Sequence, residues 1–131
     1  MILECYRRFK EIAERDFGEI VVESEIIFSY TGRARKLRIR LIDNTFVDIW
    51  YSADGGYSFH WEQSGVRNAI YRHDNAPHLK WSHVKTFPKH CHDGAQECVV
   101  ESNLSDKPEE AIREFLSIIR NKMVELRIEK D

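Results

Sequence analysis

The sequence predicts an α+β fold: an antiparallel meander of five or six strands flanked by an N-terminal and a C-terminal helix. Three observations predict it. Apolar residues recur at helical spacing at both ends of the chain and at a spacing of two in between, turn residues punctuate the middle at short intervals, and a capping box opens the last helical stretch. The chain has 131 residues, the usual size of one domain, so residues 1–131 are read as a single α+β domain.

Leu3, Tyr6, Phe9, Ile12, Ala13 and Phe17 recur at three- and four-residue steps, which predicts an amphipathic helix over 2–17 with Gly18 after it. From Ile20 to Tyr30 the period changes to two, placing Ile20, Val22, Ile26, Phe28 and Tyr30 on one side. After the turn at Thr31-Gly32, Leu37, Ile39 and Leu41 alternate with Lys36, Arg38 and Arg40, giving a half-buried strand whose other side is a row of positive charge. Asp43-Asn44 turns the chain into a third strand, Phe46 to Tyr51, and Ala53-Asp54-Gly55-Gly56 marks a hairpin into a fourth. There Tyr57, Phe59 and Trp61 face the core and Ser58, His60 and Glu62 face away. Ser64-Gly65, read as a two-residue turn, leads into a fifth strand over Val66 to His73 and brings His60 beside Tyr71 and His73. Pro77 keeps Ala76 extended and opens an irregular segment to Gly94, after which a short strand near Cys98 to Glu101 closes the sheet. Asp106-Lys107-Pro108-Glu109 reads as a capping box for a helix over 107–126, with Ala111, Ile112, Phe115, Leu116, Ile119, Met123 and Leu126 on one face.

The net charge of -2 conceals an asymmetry. Residues 32–92 carry ten Lys/Arg against five Asp/Glu, a surplus of +5, so the two ends together carry -7. A basic middle suits a phosphate-facing surface, although solvated lysines and arginines on sheet edges are the commoner explanation. Cys5, Cys91 and Cys98 are odd in number and form no CxxC pair, so neither a disulfide framework nor a zinc ribbon is indicated and reduced thiols are expected. No stretch approaches the ~20 apolar residues of a membrane span, so the expected location is cytoplasmic, with no membrane contact.

Chemistry concentrates between Tyr57 and His92, which holds all six histidines. Free imidazoles titrate near pH ~6.5 and supply acids, bases or metal ligands at neutral pH. RNA carries its own nucleophile, so its cleavage needs a base for the 2′-OH, an acid for the leaving 5′-oxygen and cations for the developing charge. His78, His90, His92 and His60 offer the proton-transfer groups, Asp74 a carboxylate to orient an imidazole, and Arg72 a phosphate contact. Arg72, Lys80, Lys85 and Lys89 are the candidate nucleic-acid contacts, with Trp81 to stack an unpaired base. The competing reading of Asp74 and Asn75 is an Asx turn leading into Ala76-Pro77. This route needs no cofactor. The alternative is zinc or another divalent transition metal on His78, His90 and His92: on a strand, His90 and His92 share one face about 6.6 Å apart. Cys91 between them lacks the accompanying motif of a nucleophilic thiol.

The run YSFHWE, then YRHDNAPH, then PKHCH, then SNLSDKPEEAIREFL resembles the TumE-like family of small prokaryotic proteins, regarded as toxins of toxin–antitoxin pairs. The likeness covers about residues 46–120. Arg72, Asp74, Asn75, Pro77 and His78 match one signature, and Pro88, His90 and His92 a second. The chain departs from the pattern at His73, where an aromatic such as tyrosine is expected, at Leu79, in place of a second histidine, and at Cys91, in place of lysine. The resemblance implies a toxin role; joined with the histidine-rich face, it gives the leading reading of a toxin component that cleaves or binds RNA and is neutralised by a cognate antitoxin with a DNA-binding helix-turn-helix domain. A non-enzymatic interaction or metal-binding module and a metal-dependent nuclease are the other two readings. Monomer and homodimer both stay open.

Overall fold

The computed structural model describes residues 1–130. Helix α1 (Ile2–Asp16) leads into seven strands: β1 (Val21–Phe28), β2 (Ala34–Leu41), β3 (Phe46–Tyr51), β4 (Tyr57–Glu62), β5 (Ile70–Asp74), β6 (His90–Gly94) and β7 (Val99–Glu101). Helix α2 (Pro108–Lys130) follows. The strands pair in sequence order, each antiparallel to the next, in one sheet. The α+β meander is therefore as expected, but it has seven strands rather than five or six. The additional strand is β6, inside the segment read as irregular. Its outward positions are histidines, so it shows no apolar alternation, and its strand character comes from pairing with β5 and β7 on either side.

Both helices cover one face of the sheet. Phe59 at the centre of β4 meets Phe9 of α1 at 6.2 Å and Phe115 of α2 at 5.5 Å between ring centroids. Tyr6, Phe9 and Ile12 from α1, Ile112, Phe115, Leu116 and Ile119 from α2, and Leu37, Ile39, Ile49, Phe59 and Trp61 from the sheet are fully buried there. The Trp61 indole N–H donates to Thr45 Oγ1 at 2.8 Å, so the largest core side chain carries no unpaired polar atom. Arg8–Glu109 and Arg113–Asp16 pairs, at 2.8 and 2.9 Å, join the two helices at the surface. Among the described residues no helix is long and apolar enough to cross a membrane.

Three local readings are corrected. In β1 the register shifts between Val21 and Glu23 and again between Ile27 and Phe28, so the expected face is kept only in part: Ile20 is buried and Ile26 packs against the core as read, but Val21 takes the core place expected of Val22. Val21 and Ser24 are buried, while Val22, Phe28 and Tyr30 are exposed. Ser64-Gly65 is not a two-residue turn: the Val66 and Arg67 amides both donate to the Gln63 carbonyl, and Arg67 reaches Asp43 at 2.7 Å. Strand β5 consequently starts at Ile70, and His60 pairs with Arg72 rather than lying beside Tyr71 and His73. A one-residue change of register exchanges the two faces. The capping box does not form, because Pro108 is the first helical residue and Asp106 lies one position too early. Instead Asp106 pairs with Lys89 at 3.1 Å, Glu109 with Arg8, and the Ser105 hydroxyl accepts from the Lys107 amide.

The core face of β5 carries His73, only 5% exposed. Its Nδ1 lies 2.6 Å from the Ser102 hydroxyl and its Nε2 2.8 Å from that of Tyr71. A hydroxyl can donate or accept, so a neutral imidazole is satisfied on both sides in either tautomer. Burial pushes the His73 pKa down to about 4.

Two predictions follow from this packing. Phe59→Ala should cost about 3–5 kcal/mol of unfolding free energy in urea titrations, and Tyr30→Ala, fully exposed, no more than about 0.5 kcal/mol. Between pH ~6.5 and 4 the unfolded chain takes up a proton at His73 that the folded chain refuses, so the stability from neutral His73 is complete above that window and is lost as pH falls through it. Relative to a His73→Phe variant, the protein should lose on the order of 3 kcal/mol between pH 7 and pH 4, read as the difference of two denaturation series. A constant difference across that range would contradict a neutral buried His73.

Candidate functional site

The sheet face away from the helices is built by the same alternation that builds the core. In β5, Tyr71 and His73 point inward, leaving Arg72 and Asp74 outward; in β6, Cys91 points inward, leaving His90 and His92 outward. The register sets Asp74 directly opposite His90 and Arg72 directly opposite His92. On the other side of β5, Ser58 faces Asp74 and His60 faces Arg72. The connection between β5 and β6 folds back over this end of the sheet and closes a cleft of about 650 Å³. Arg72, Asp74, His78, His90 and His92 all line it, together with Trp50, Trp81 and Gln96.

The Asp74 carboxylate is the centre of the cluster. Its Oδ1 accepts the Ala76 amide at 3.0 Å, the expected Asx turn, and lies 3.2 Å from His90 Nε2. Its Oδ2 accepts Arg72 Nε at 3.0 Å and lies 3.8 Å from His92 Nε2. The far nitrogens of the two imidazoles meet carbonyl oxygens: His90 Nδ1 is 2.9 Å from Pro88 O, and His92 Nδ1 is 2.7 Å from Gln96 O. Gln96 is used twice, since its side-chain oxygen also accepts from Arg72 at 2.8 Å. Both imidazoles are 1% exposed. Trp81 closes over them, 6.4 Å from the His90 ring and 5.7 Å from that of His92. Burial lowers the His92 pKa, and the nearby Arg72 charge acts in the same direction. Asp74, His90 and His92 bring potential ligand atoms within 4.8 Å of one another. His78, in the set read from the sequence, lines the cleft but is not part of this group.

The remaining candidates are dispersed. His60 stands beside Arg72 on the sheet but outside the cleft wall, its Nε2 3.3 Å from Glu62. Lys89 points to the segment before α2, bonding Leu104 O at 2.5 Å as well as Asp106. Lys80 is exposed, pairs with Glu97 at 3.3 Å and lies over the Trp81 ring. Lys85 is exposed away from the cleft. Trp81 is 9% exposed, so its ring is committed to the histidines and offers no free face for stacking. The basic row of β2 is internally neutralised: Lys36 and Arg38 bond Asp48, and Arg40 lies between Glu23 and Glu25. Asn75 proves structural, accepting the Tyr57 amide and donating to Gly55 O, both at 2.9 Å. The Cys91 thiol is buried, and its pKa is pushed up to about 12, which removes the thiolate a nucleophile needs.

Trp50 and Gln96 of the cleft wall were not among the residues singled out from the sequence. Trp50 is 44% exposed on the outer face, and its parity opposite Ile49 and Tyr51 would have shown it. Gln96 carries no comparable pattern; it arrives through the β6–β7 turn.

No curated protein and no solved structure matches the chain. The family model for toxin TumE matches residues 8–123. That span contains all seven strands, the cleft and most of both helices. By this match over most of its length, the chain belongs to the TumE toxin family.

Proposed function

We propose that the chain is the toxin of a toxin–antitoxin pair and acts on RNA in the cytoplasm, at the cleft between β5–β6 and the segment that covers them. The observation that carries this reading is the gathering of Arg72, Asp74, His78, His90 and His92 in one cleft from positions spread over 21 residues. A phosphodiester entering it meets the Arg72 guanidinium, a planar cation suited to phosphate oxygens. The exposed Trp50 ring offers a stacking face for an unpaired base. His78 is exposed at the rim and is the imidazole that solvent and a substrate reach, so in this reading it exchanges a proton with the ribose 2′-OH or the leaving oxygen. His90 and His92, nearly sealed by Trp81, form the floor with Asp74. The cognate antitoxin, with a DNA-binding helix-turn-helix domain, would neutralise the toxin by excluding RNA from the cleft.

The test is purified protein with labelled single-stranded RNA and a 2′-deoxy control. RNA should be cleaved and the control left intact. His78→Ala should lower the rate by about two to four powers of ten with affinity retained. Arg72→Ala should weaken binding too and reduce its salt dependence. His83→Ala, on the same segment but outside the cleft, should change neither. Expression of the chain alone should slow growth of a bacterial host, and co-expression of the neighbouring gene should restore it. Binding without cleavage would favour the non-enzymatic module, and cleavage of the 2′-deoxy strand would exclude the 2′-OH route.

A further inference from the structure

His90 and His92 present a hydrogen-bonding conflict that His73 does not. A neutral imidazole has one N–H and one lone pair. Pro88 O and Gln96 O only accept, so at 2.9 and 2.7 Å each Nδ1 must carry the hydrogen. Each Nε2 is then left with its lone pair, and both lone pairs face the Asp74 carboxylate, which also only accepts when ionised. With both imidazoles neutral, three acceptors converge in a nearly sealed place and none of them can donate to another. Such an arrangement is costly unless a positive charge stands at its centre.

We propose that Asp74, His90 and His92 bind one divalent transition-metal ion, zinc foremost, through the carboxylate and the two Nε2 atoms, with a fourth position open to the cleft. The surroundings are those that orient metal ligands. Each histidine donates its other N–H to a backbone carbonyl, which sets the tautomer and aims the lone pair, and the carboxylate is itself held, by the Ala76 amide and Arg72 Nε. The two histidines sit two apart on a strand and the carboxylate directly across from one of them, so backbone pairing fixes all three origins. The ligand atoms lie within 4.8 Å of one another. Small side-chain rotations reach the roughly 3.3 Å spacing that bonds of ~2.0–2.1 Å to a tetrahedral ion require. Two imidazoles and one carboxylate with a vacant position suit zinc, with cobalt as a spectroscopic substitute. Arg72 and Asp74 cancel in charge, so the ion would leave the cleft floor at a net +2, which favours an anionic group at the open position. When bound, the ion supplies a Lewis acid to that group.

The site rests on this geometry and not on the RNA reading, and it is tested without an activity assay. The full chain is stripped with a chelator, dialysed and titrated with zinc by calorimetry, and with cobalt by visible absorption. One equivalent per chain should bind, cobalt should show the intense visible bands of tetrahedral coordination, and zinc should raise Tm. Asp74→Asn keeps an acceptor for the Ala76 amide and hence the Asx turn, yet should weaken zinc binding by at least about 10-fold. His90→Gln and His92→Gln should each weaken it about 100-fold or more. The double change His83→Ala, Cys98→Ser removes an exposed imidazole and an exposed thiol and should leave affinity unchanged. The proposal is overturned if the stripped chain binds no zinc, if Asp74→Asn and His92→Gln bind as tightly as the parent while remaining folded, or if the surface double change abolishes binding. It is overturned too if His78→Ala weakens binding while Asp74→Asn does not, since His78 would then be the third ligand.

Discussion

The pairing of β5 with β6 is the constraint on which the site depends. Antiparallel strands place directly opposed residues on the same side of the sheet, and alternate positions on opposite sides. Asp74 is opposed to His90, Arg72 to His92, and His73 to Cys91. One register thus completes the core with His73 and Cys91 and assembles the polar cluster with the other four. A slip by one residue would bury Arg72 and Asp74 against Phe115 and expose His73, so core packing and site assembly enforce the same pairing.

The cluster is enclosed by the connection from β5 to β6, whose anchors are mostly polar. Asp74 turns the chain at Ala76, Asn75 ties it to the β3–β4 hairpin, and Trp81 and Val84 supply its buried apolar contacts. At the far end Thr86 bonds Lys89 O and accepts the Ser102 amide, while Lys89 holds Leu104 O and Asp106. Several residues that read as functional are thus fasteners of the cover. Lys89 and Trp81 are the clearest cases: their charge and ring are used within the protein, and the accessible aromatic of the cleft is Trp50.

The buried histidines divide by the partners they meet. His73 is surrounded by hydroxyls, which adapt to its tautomer, and by the rings of Tyr71 and Phe115, so it behaves as a polar core residue. His90 and His92 meet oxygens that cannot donate. Similar burial therefore has opposite consequences for the neutral rings: His73 is satisfied on both sides, whereas neutral His90 and His92 direct lone pairs at a carboxylate.

The sequence by itself determined the two helices, the strands at 46–51 and 57–62, the apolar face of Tyr57, Phe59 and Trp61, and the family signature. These rest on local periodicity, turn chemistry and motif order, each carried by neighbouring residues. Only the tertiary structure decided that β6 is a strand, since its pattern is polar outward and its partners lie 16 or more positions before it and at least seven after. It also decided that His60 faces Arg72, because a turn built on Gln63 and Arg67 set the register. Asp74, rather than His78, joins His90 and His92 because cross-strand pairing brings together backbone positions distant in sequence, whereas His78 lies on the cover and its side chain follows that segment. Partner choice in a sheet is a long-range property, and it was the part that local spacing could not carry.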